Sequence, residues 1–283
     1  MDCVVDLDAS PLSPGVSPVR IHYREFGAGE PLLVLHGGWG YGMYPFDRQV
    51  AALLSSHRVV VPDRTGYGSS GTLDVQRVDF HQRAAEETIA FMDAIGIRRA
   101  ALWGHSDGAV IALRLGLMAP DRVGRIVAEA THFLRAKPAS RAFFETMRDA
   151  PERLGDRVVS MLEREHGGKW RALISANGAA WLQIADRATS PGDDLYGGRL
   201  DELRVPVLLV HGARDPRTEP GELEALRTAI IGGPGRDADG SQVRVFPEGG
   251  HSPHSEPATA DAVTAAAATF LAGAAQTLRP SPS

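Results

Sequence analysis

Cysteine is almost absent from this chain. Cys3 is the only one, and it stands near a terminus expected to be mobile. An internal disulfide and a cysteine-based zinc site are thereby excluded, and no thiol nucleophile is expected. A dominant charge is also lacking. Lys and Arg number 30 against 35 Asp and Glu, and the net charge of −5, with signs interspersed, leaves no basic footprint for nucleic acid. Long hydrophobic runs are missing too. The one nearly uncharged stretch of membrane length, Ala260 to Leu278, is built largely of Ala, Thr and Gly. That composition is too weakly apolar to insert, and it reads as the last helix of a fold packed on a domain surface. The first twenty residues carry Asp2, Asp6 and Asp8 and no long apolar segment, unlike a secretory signal. A cytoplasmic protein with no membrane partner is expected.

What remains is ordinary globular material. With 43% hydrophobic residues over 283 positions, the chain can build one large α/β domain or a core with an inserted subdomain. Short apolar runs at Val19-Tyr23, Leu32-Leu35, Val59-Val61, Ala100-Trp103, Ile126-Ala128, Val205-Val210 and Val243-Phe246 predict strands. Helical patterns at Phe46-Leu54, Phe80-Ile95, Ala109-Met118 and Pro220-Ile231 alternate with them, which predicts a mostly parallel sheet with helices on both faces. The alternation breaks between Thr131 and Arg204. Three helical stretches follow one another there, Ala139-Asp149, Pro151-His166 and Lys169-Ile184, so residues 132–203 are expected to form a helical cap between two core parts, 1–131 and 204–283. Gly232 to Ser241 reads as a surface loop and Thr277 to Ser283 as a frayed tail.

The pentapeptide Gly104-His105-Ser106-Asp107-Gly108 follows the apolar run Ala100-Trp103 and opens the helical run Ala109-Met118. Strand, sharp turn and helix form the context in which Gly-X-Ser-X-Gly acts as a nucleophile elbow. The turn strains the serine backbone, and the glycines leave room where a Cβ would collide with the neighbouring strand or helix. The plainer alternative is a helix start with Ser106 or Asp107 as the cap.

An acyl-transfer serine needs a base, an acid to orient the base, and donors for the oxyanion. Asp215 stands just past the strand Val205-Val210, and His251 follows the strand Val243-Phe246 through Pro247-Glu248-Gly249-Gly250. Glu129, at the end of the strand after the elbow helix, competes with Asp215 for the acid. Its position also suits a partner for a neighbouring basic group, and the Gly212-Ala213-Arg214-Asp215-Pro216 turn favours Asp215. His254 competes with His251, whose paired glycines favour it; His254 then lines the pocket or faces solvent. His36 and His211 precede glycines at strand ends, where a structural hydrogen bond is expected, and His105 is explained by the elbow itself. For the oxyanion, the backbone N–H of Asp107 pairs with one from His36-Gly37-Gly38-Trp39-Gly40, Gly38 first and Trp39 next. A plain glycine turn is the alternative for that loop.

Five ordered pieces, His36-Gly37-Gly38, Asp63-Arg64-Thr65-Gly66-Tyr67-Gly68-Ser69, Gly104-His105-Ser106-Asp107-Gly108, Gly212-Ala213-Arg214-Asp215 and Gly250-His251, together resemble the α/β-hydrolase superfamily over about Val19 to Leu271. The resemblance implies Ser106, Asp215 and His251 as nucleophile, acid and base, with no metal and no organic cofactor. A narrower likeness joins Ser106-Asp107-Gly108, Pro247-Glu248-Gly249-Gly250-His251 and Lys169-Trp170 to the valacyclovir hydrolase (biphenyl hydrolase-like) branch. There an aspartate beside the nucleophile binds the α-amino group of amino-acid esters, and Asp107 matches it in position. His105 in place of tryptophan and Ala109 in place of a second glycine depart from that branch.

The expected activity is hydrolysis of a small carboxylic ester, a small-molecule substrate. A lactonase, an amidase or aminopeptidase, and a hydrolase of carbon–carbon bonds would use the same three residues, and a non-catalytic ligand-binding protein would keep the same pocket. Aromatic residues of the cap, Trp170, Trp181, Phe143 and Phe144, could line that pocket, although aromatics at helical spacing more often belong to a core. Oligomeric state is left open.

Overall fold

A computed structural model describes residues 1–73, 75–232 and 240–277, with backbone only from 274 onward. Eight strands are found among them: β1 (Asp2–Leu7), β2 (Val19–Phe26), β3 (Glu30–Leu35), β4 (His57–Pro62), β5 (Ala100–His105), β6 (Val123–Glu129), β7 (Val207–Gly212) and β8 (Gln242–Phe246). They form one sheet in the order β1-β2-β4-β3-β5-β6-β7-β8. β1, β2 and β4 pair antiparallel, and every pairing from β4 to β8 is parallel.

Both faces of this sheet are covered, which explains why its central strands read as unbroken apolar runs. Side chains alternate along each strand. Leu33 and Leu35 of β3, Leu102 of β5 and Ile126 of β6 enter one core with α2 (Phe80–Ala94) and α3 (Asp107–Met118). Leu32, Val34, Trp103 and Val127 enter a second core with α1 (Asp47–Leu53) and α8 (Ala260–Thr277). Buried Ala267 and the neighbouring small residues let α8 lie close against the sheet. No helix among the described residues is long and apolar enough to cross a membrane.

Three expectations need correction. The first residues are not a loose terminus, because β1 runs antiparallel to β2 with Cys3 opposite Tyr23. Its pattern of exposed and half-buried positions leaves no apolar run to read, since the ladder with β2 holds it in place. Pro151 does not open a long helix either. It starts a 3₁₀ turn, Pro151–Leu154, which ends at Gly155 with φ 103° before α5 (Asp156–His166) begins. His254, finally, neither lines the cavity described below nor faces solvent. Of the predicted loop Gly232 to Ser241, residues 233–239 lie outside the described residues, as do 278–283 of the predicted tail.

Between β6 and β7 the chain leaves the sheet for α4 (Arg141–Asp149), α5 and α6 (Trp170–Asp186). The departure is pinned by a buried ion pair: Lys137 Nζ donates to Glu222 Oε1 at 2.5 Å, at the start of α7 (Glu222–Ile231). The same carboxylate oxygen accepts the backbone N–H groups of Phe133 and Leu134 at 2.7 and 2.9 Å. Parallel strands send their carboxyl ends to one edge, and the loops after β3, β5, β6, β7 and β8 meet there beneath these helices.

Candidate active site

Ser106 sits between the last residue of β5 and the first of α3, with φ 54° and ψ −120°. A non-glycine residue in that region is strained by roughly 1–3 kcal/mol and persists only where its surroundings hold it. They do so here. A methyl group on Gly104 would strike the Gly108 backbone, and one on Gly108 would strike the carbonyl of Leu35, so strand and helix approach as closely as glycine permits. The Ser106 N–H donates to Glu129 O at 2.9 Å, and its carbonyl accepts the N–H of Ala109 at 2.9 Å.

Three loops bring Ser106, Asp215 and His251 together. His251 Nε2 lies 3.1 Å from Ser106 Oγ. Its Nδ1 lies 3.0 and 2.9 Å from the two carboxylate oxygens of Asp215, which fixes Nδ1 as the protonated nitrogen and leaves Nε2 to accept from the serine. Burial would raise the Asp215 carboxyl, but the charge and hydrogen bond of His251 and the Arg217 N–H prevail and hold it down at about 2. Asp215 therefore stays ionised.

The competitors for these roles are bonded to each other. His254 Nδ1 lies 2.8 Å from Glu129 Oε1, which also accepts the His254 N–H at 2.9 Å. Trp103 Nε1 donates to Glu129 Oε2 at 3.0 Å, and all of this is buried. His36 accepts the Arg64 N–H at 3.1 Å, and His211 Nε2 meets Thr218 Oγ1 at 2.7 Å, so both make the structural bonds expected of them. His105 does more than fill its elbow position. Its Nε2 lies 2.9 Å from the carbonyl of His251 and 3.1 Å from Ser252 Oγ, and burial, ahead of the charges of His254 and His251, pushes it down to about 3. A permanently neutral His105 thus braces the loop that carries His251.

Asp107 is the first residue of α3, where a backbone N–H has no helical carbonyl to meet. Gly37, Gly38 and Trp39 close over it from the loop after β3; a Cβ on Gly37 would lie 3.2 Å from Ser106 Cβ. The Asp107 carboxylate is buried and already engaged. His81 Nε2 and Trp181 Nε1 donate to Oδ1 at 3.2 and 3.1 Å, and Asn177 Nδ2 donates to Oδ2 at 3.1 Å. Burial pushes His81 down, so it donates as a neutral imidazole. The Asp107 carboxyl is lowered although burial opposes this, because His81, the charge of Arg64 and then the Asn177 bond stabilise its charge.

Ser106, Asp107 and His251 border a cavity of about 470 Å³, its open mouth included. Trp39, Phe143, Phe144, Met147 and Trp181 give it apolar walls, whereas Trp170 stays in the core below. Among the polar residues of this wall that escaped the sequence reading are His132, just past β6, and Arg217, two residues after Asp215. The signal was available, because both follow strand ends on the edge where ligands gather. Burial, then the charge of Lys137, keeps His132 well below the usual imidazole range, and its ring stacks on His251 at 5.9 Å between centroids.

The profile of the alpha/beta hydrolase family matches residues 32–266. The Mus musculus protein named serine hydrolase BPHL is 26% identical over 243 residues, 84% of this chain and 79% of its own. The 2-hydroxy-6-oxo-6-phenylhexa-2,4-dienoate hydrolase of Comamonas testosteroni is 30% identical over 228 residues, 72% of this chain and 78% of its own. Among solved structures, a thermophilic esterase from Thermogutta terrifontis superposes with a TM-score of 0.70 at 21% identity, over 96% of this chain and 99% of that one, which is a likeness of fold. A sheet of this order, an elbow of this geometry and these relatives make the chain a member of the alpha/beta hydrolase family, and a hydrolase.

Proposed function

We propose that this hydrolase cleaves a small carboxylic ester through an acyl-enzyme on Ser106. The observation that supports it most is the imidazole of His251, within hydrogen-bond reach of a strained serine hydroxyl on one side and an ionised carboxylate on the other. In this reading His251 takes the proton of Ser106 as the hydroxyl attacks the carbonyl, passes it to the leaving oxygen, and then activates water against the acyl group. Asp215 holds the imidazole tautomer and stabilises the imidazolium. The N–H groups of Asp107 and Gly38, with Trp39 as the next choice after Gly38, stabilise the oxyanion at the positive end of α3. Residues 132–203 act as a cap that closes the acyl pocket over the core formed by 1–131 and 204–283.

The carboxylate of Asp107 gives this reading a finer form. Three of its four acceptor positions are filled, and the fourth, on Oδ2, would take one N–H of a substrate ammonium. An α-amino ester would neutralise the charge beside the oxyanion, whereas a neutral ester would leave it in place. A second reading, hydrolysis of a carbon–carbon bond beside a ketone, draws support from the Comamonas relative named for a hydroxy-oxo-dienoate. Labelling with a fluorophosphonate, lost in Ser106→Ala, together with a product assay on esters and on such dienoates, separates these readings. No labelling and no turnover would overturn both.

A further inference from the structure

Arg217 is a cation of the cavity wall with an unmet donor. Its backbone N–H donates to Asp215 Oδ1 at 2.8 Å, so the turn that sets the acid also fixes where this side chain begins. The guanidinium then lies over the ring of Phe143 in α4 and borders the same cavity as Ser106 and His251. Its Nη1 is buried and has no hydrogen-bond partner. The acids of the site do not satisfy it. Both Asp215 oxygens are turned to His251, and the Asp107 oxygens accept from His81, Trp181 and Asn177 and not from Arg217. His132 stays neutral, and the rest of the wall is mainly aromatic.

An orphaned N–H on a buried guanidinium nitrogen is costly, and such groups in folded proteins usually have a partner. The cavity is where that partner can come from. We propose that Arg217 is an anion subsite, and that the substrate carries a carboxylate, held by Arg217 beside Phe143, in addition to the carbonyl attacked by Ser106. A carboxylate is an organic oxyanion that is ionised at neutral pH and whose two oxygens match the planar donors of a guanidinium. This rests on the ester reading for its position in a reaction, while its binding can be measured without turnover.

The test compares mono-4-nitrophenyl esters of adipic, pimelic and suberic acid with the same molecules after methylation of the free carboxylate. Charge-assisted hydrogen bonds predict that the native chain favours the best free acid over its methylated twin by roughly 10- to 100-fold in kcat/KM. That ratio should collapse in Arg217→Gln and be partly kept in Arg217→Lys. Turnover of both members of every pair at equal kcat/KM overturns the subsite and leaves the ester reading standing. If neither member is turned over, the ester reading falls, and binding decides the subsite. Monomethyl and dimethyl adipate are then titrated into the Ser106→Ala chain, with tryptophan fluorescence, to which Trp39 and Trp181 of the wall contribute, as the signal. Tighter binding of the monoacid, abolished by adding Arg217→Gln, supports the subsite; equal binding overturns it.

Discussion

His254 and Glu129 hold each other at 2.8 Å, a buried pairing of the two residues that compete with His251 and Asp215 for the proposed roles. Glu129→Gln should therefore act on stability. The amide nitrogen would face either Trp103 Nε1 or the His254 donors, and a buried donor left unmet costs about 1–3 kcal/mol. Denaturant unfolding should show that loss, with kcat reduced less than about tenfold. Asp215→Asn should do the reverse, lowering kcat roughly a thousand- to ten-thousandfold by upsetting the His251 tautomer. Equal kinetic losses for the two variants would sink the assignment of the acid.

Ser106→Gly removes the hydroxyl and the side-chain clash at φ 54° together. Hydrolysis should disappear while the unfolding free energy rises by about 1 kcal/mol, the lower end of what such a backbone strain stores. A melting temperature that falls would show that the serine side chain contributes more to the fold than its conformation costs.

Asp107→Asn tests the ammonium reading with little disturbance, because the Asn177 amide can turn and present its oxygen to the new NH₂ group. A native preference of about tenfold in kcat/KM for an α-amino ester over its N-acetyl counterpart is expected from one charge-assisted hydrogen bond. The substitution should erase it. Identical preferences before and after would leave Asp107 as a brace between the elbow, α2 and α6 and nothing more.

Stability should depend on pH through Glu165. Its carboxylate is buried against the loop Gly40–Gly42, and burial outweighs the backbone N–H groups of Gly42 and Tyr41 and raises the carboxyl from an ordinary 4.5 to about 7. The folded state then keeps a proton that the unfolded chain releases above about pH 4.5. This contribution to stability is complete at low pH, declines as pH rises from about 4.5 to about 7, and is gone above that. Its full size is on the order of 3 kcal/mol. Glu165→Gln should flatten the pH profile of unfolding across this window; an unaltered slope would show that Glu165 is solvated in the folded chain.

The sheet could be read from the chain because its central strands are buried on both faces and must be apolar throughout. The pentapeptide around Ser106 was legible for a steric reason: only glycine tolerates the approach of α3 to β5 and β3. β1 was not legible, since an edge strand with one exposed face is held by backbone pairing to which its side chains give no clue. The break at Gly155 was missed because Pro151 suits the start of a 3₁₀ turn as well as that of an α-helix.

The roles of Glu129, His254 and Arg217 could not be assigned by position alone. Each follows or ends a strand at the right edge, as the triad candidates do, and strand-end position says nothing about which way a side chain turns. Sequence determined the order of the elements, the tight turns and the residue types available at one edge of the sheet, because these follow from local sterics and the burial of strands. Only the tertiary structure decided which imidazole meets which carboxylate, and which cation is left without a partner, because hydrogen bonds between loops 36 to 145 residues apart depend on distances of a few tenths of an ångström that no local pattern encodes.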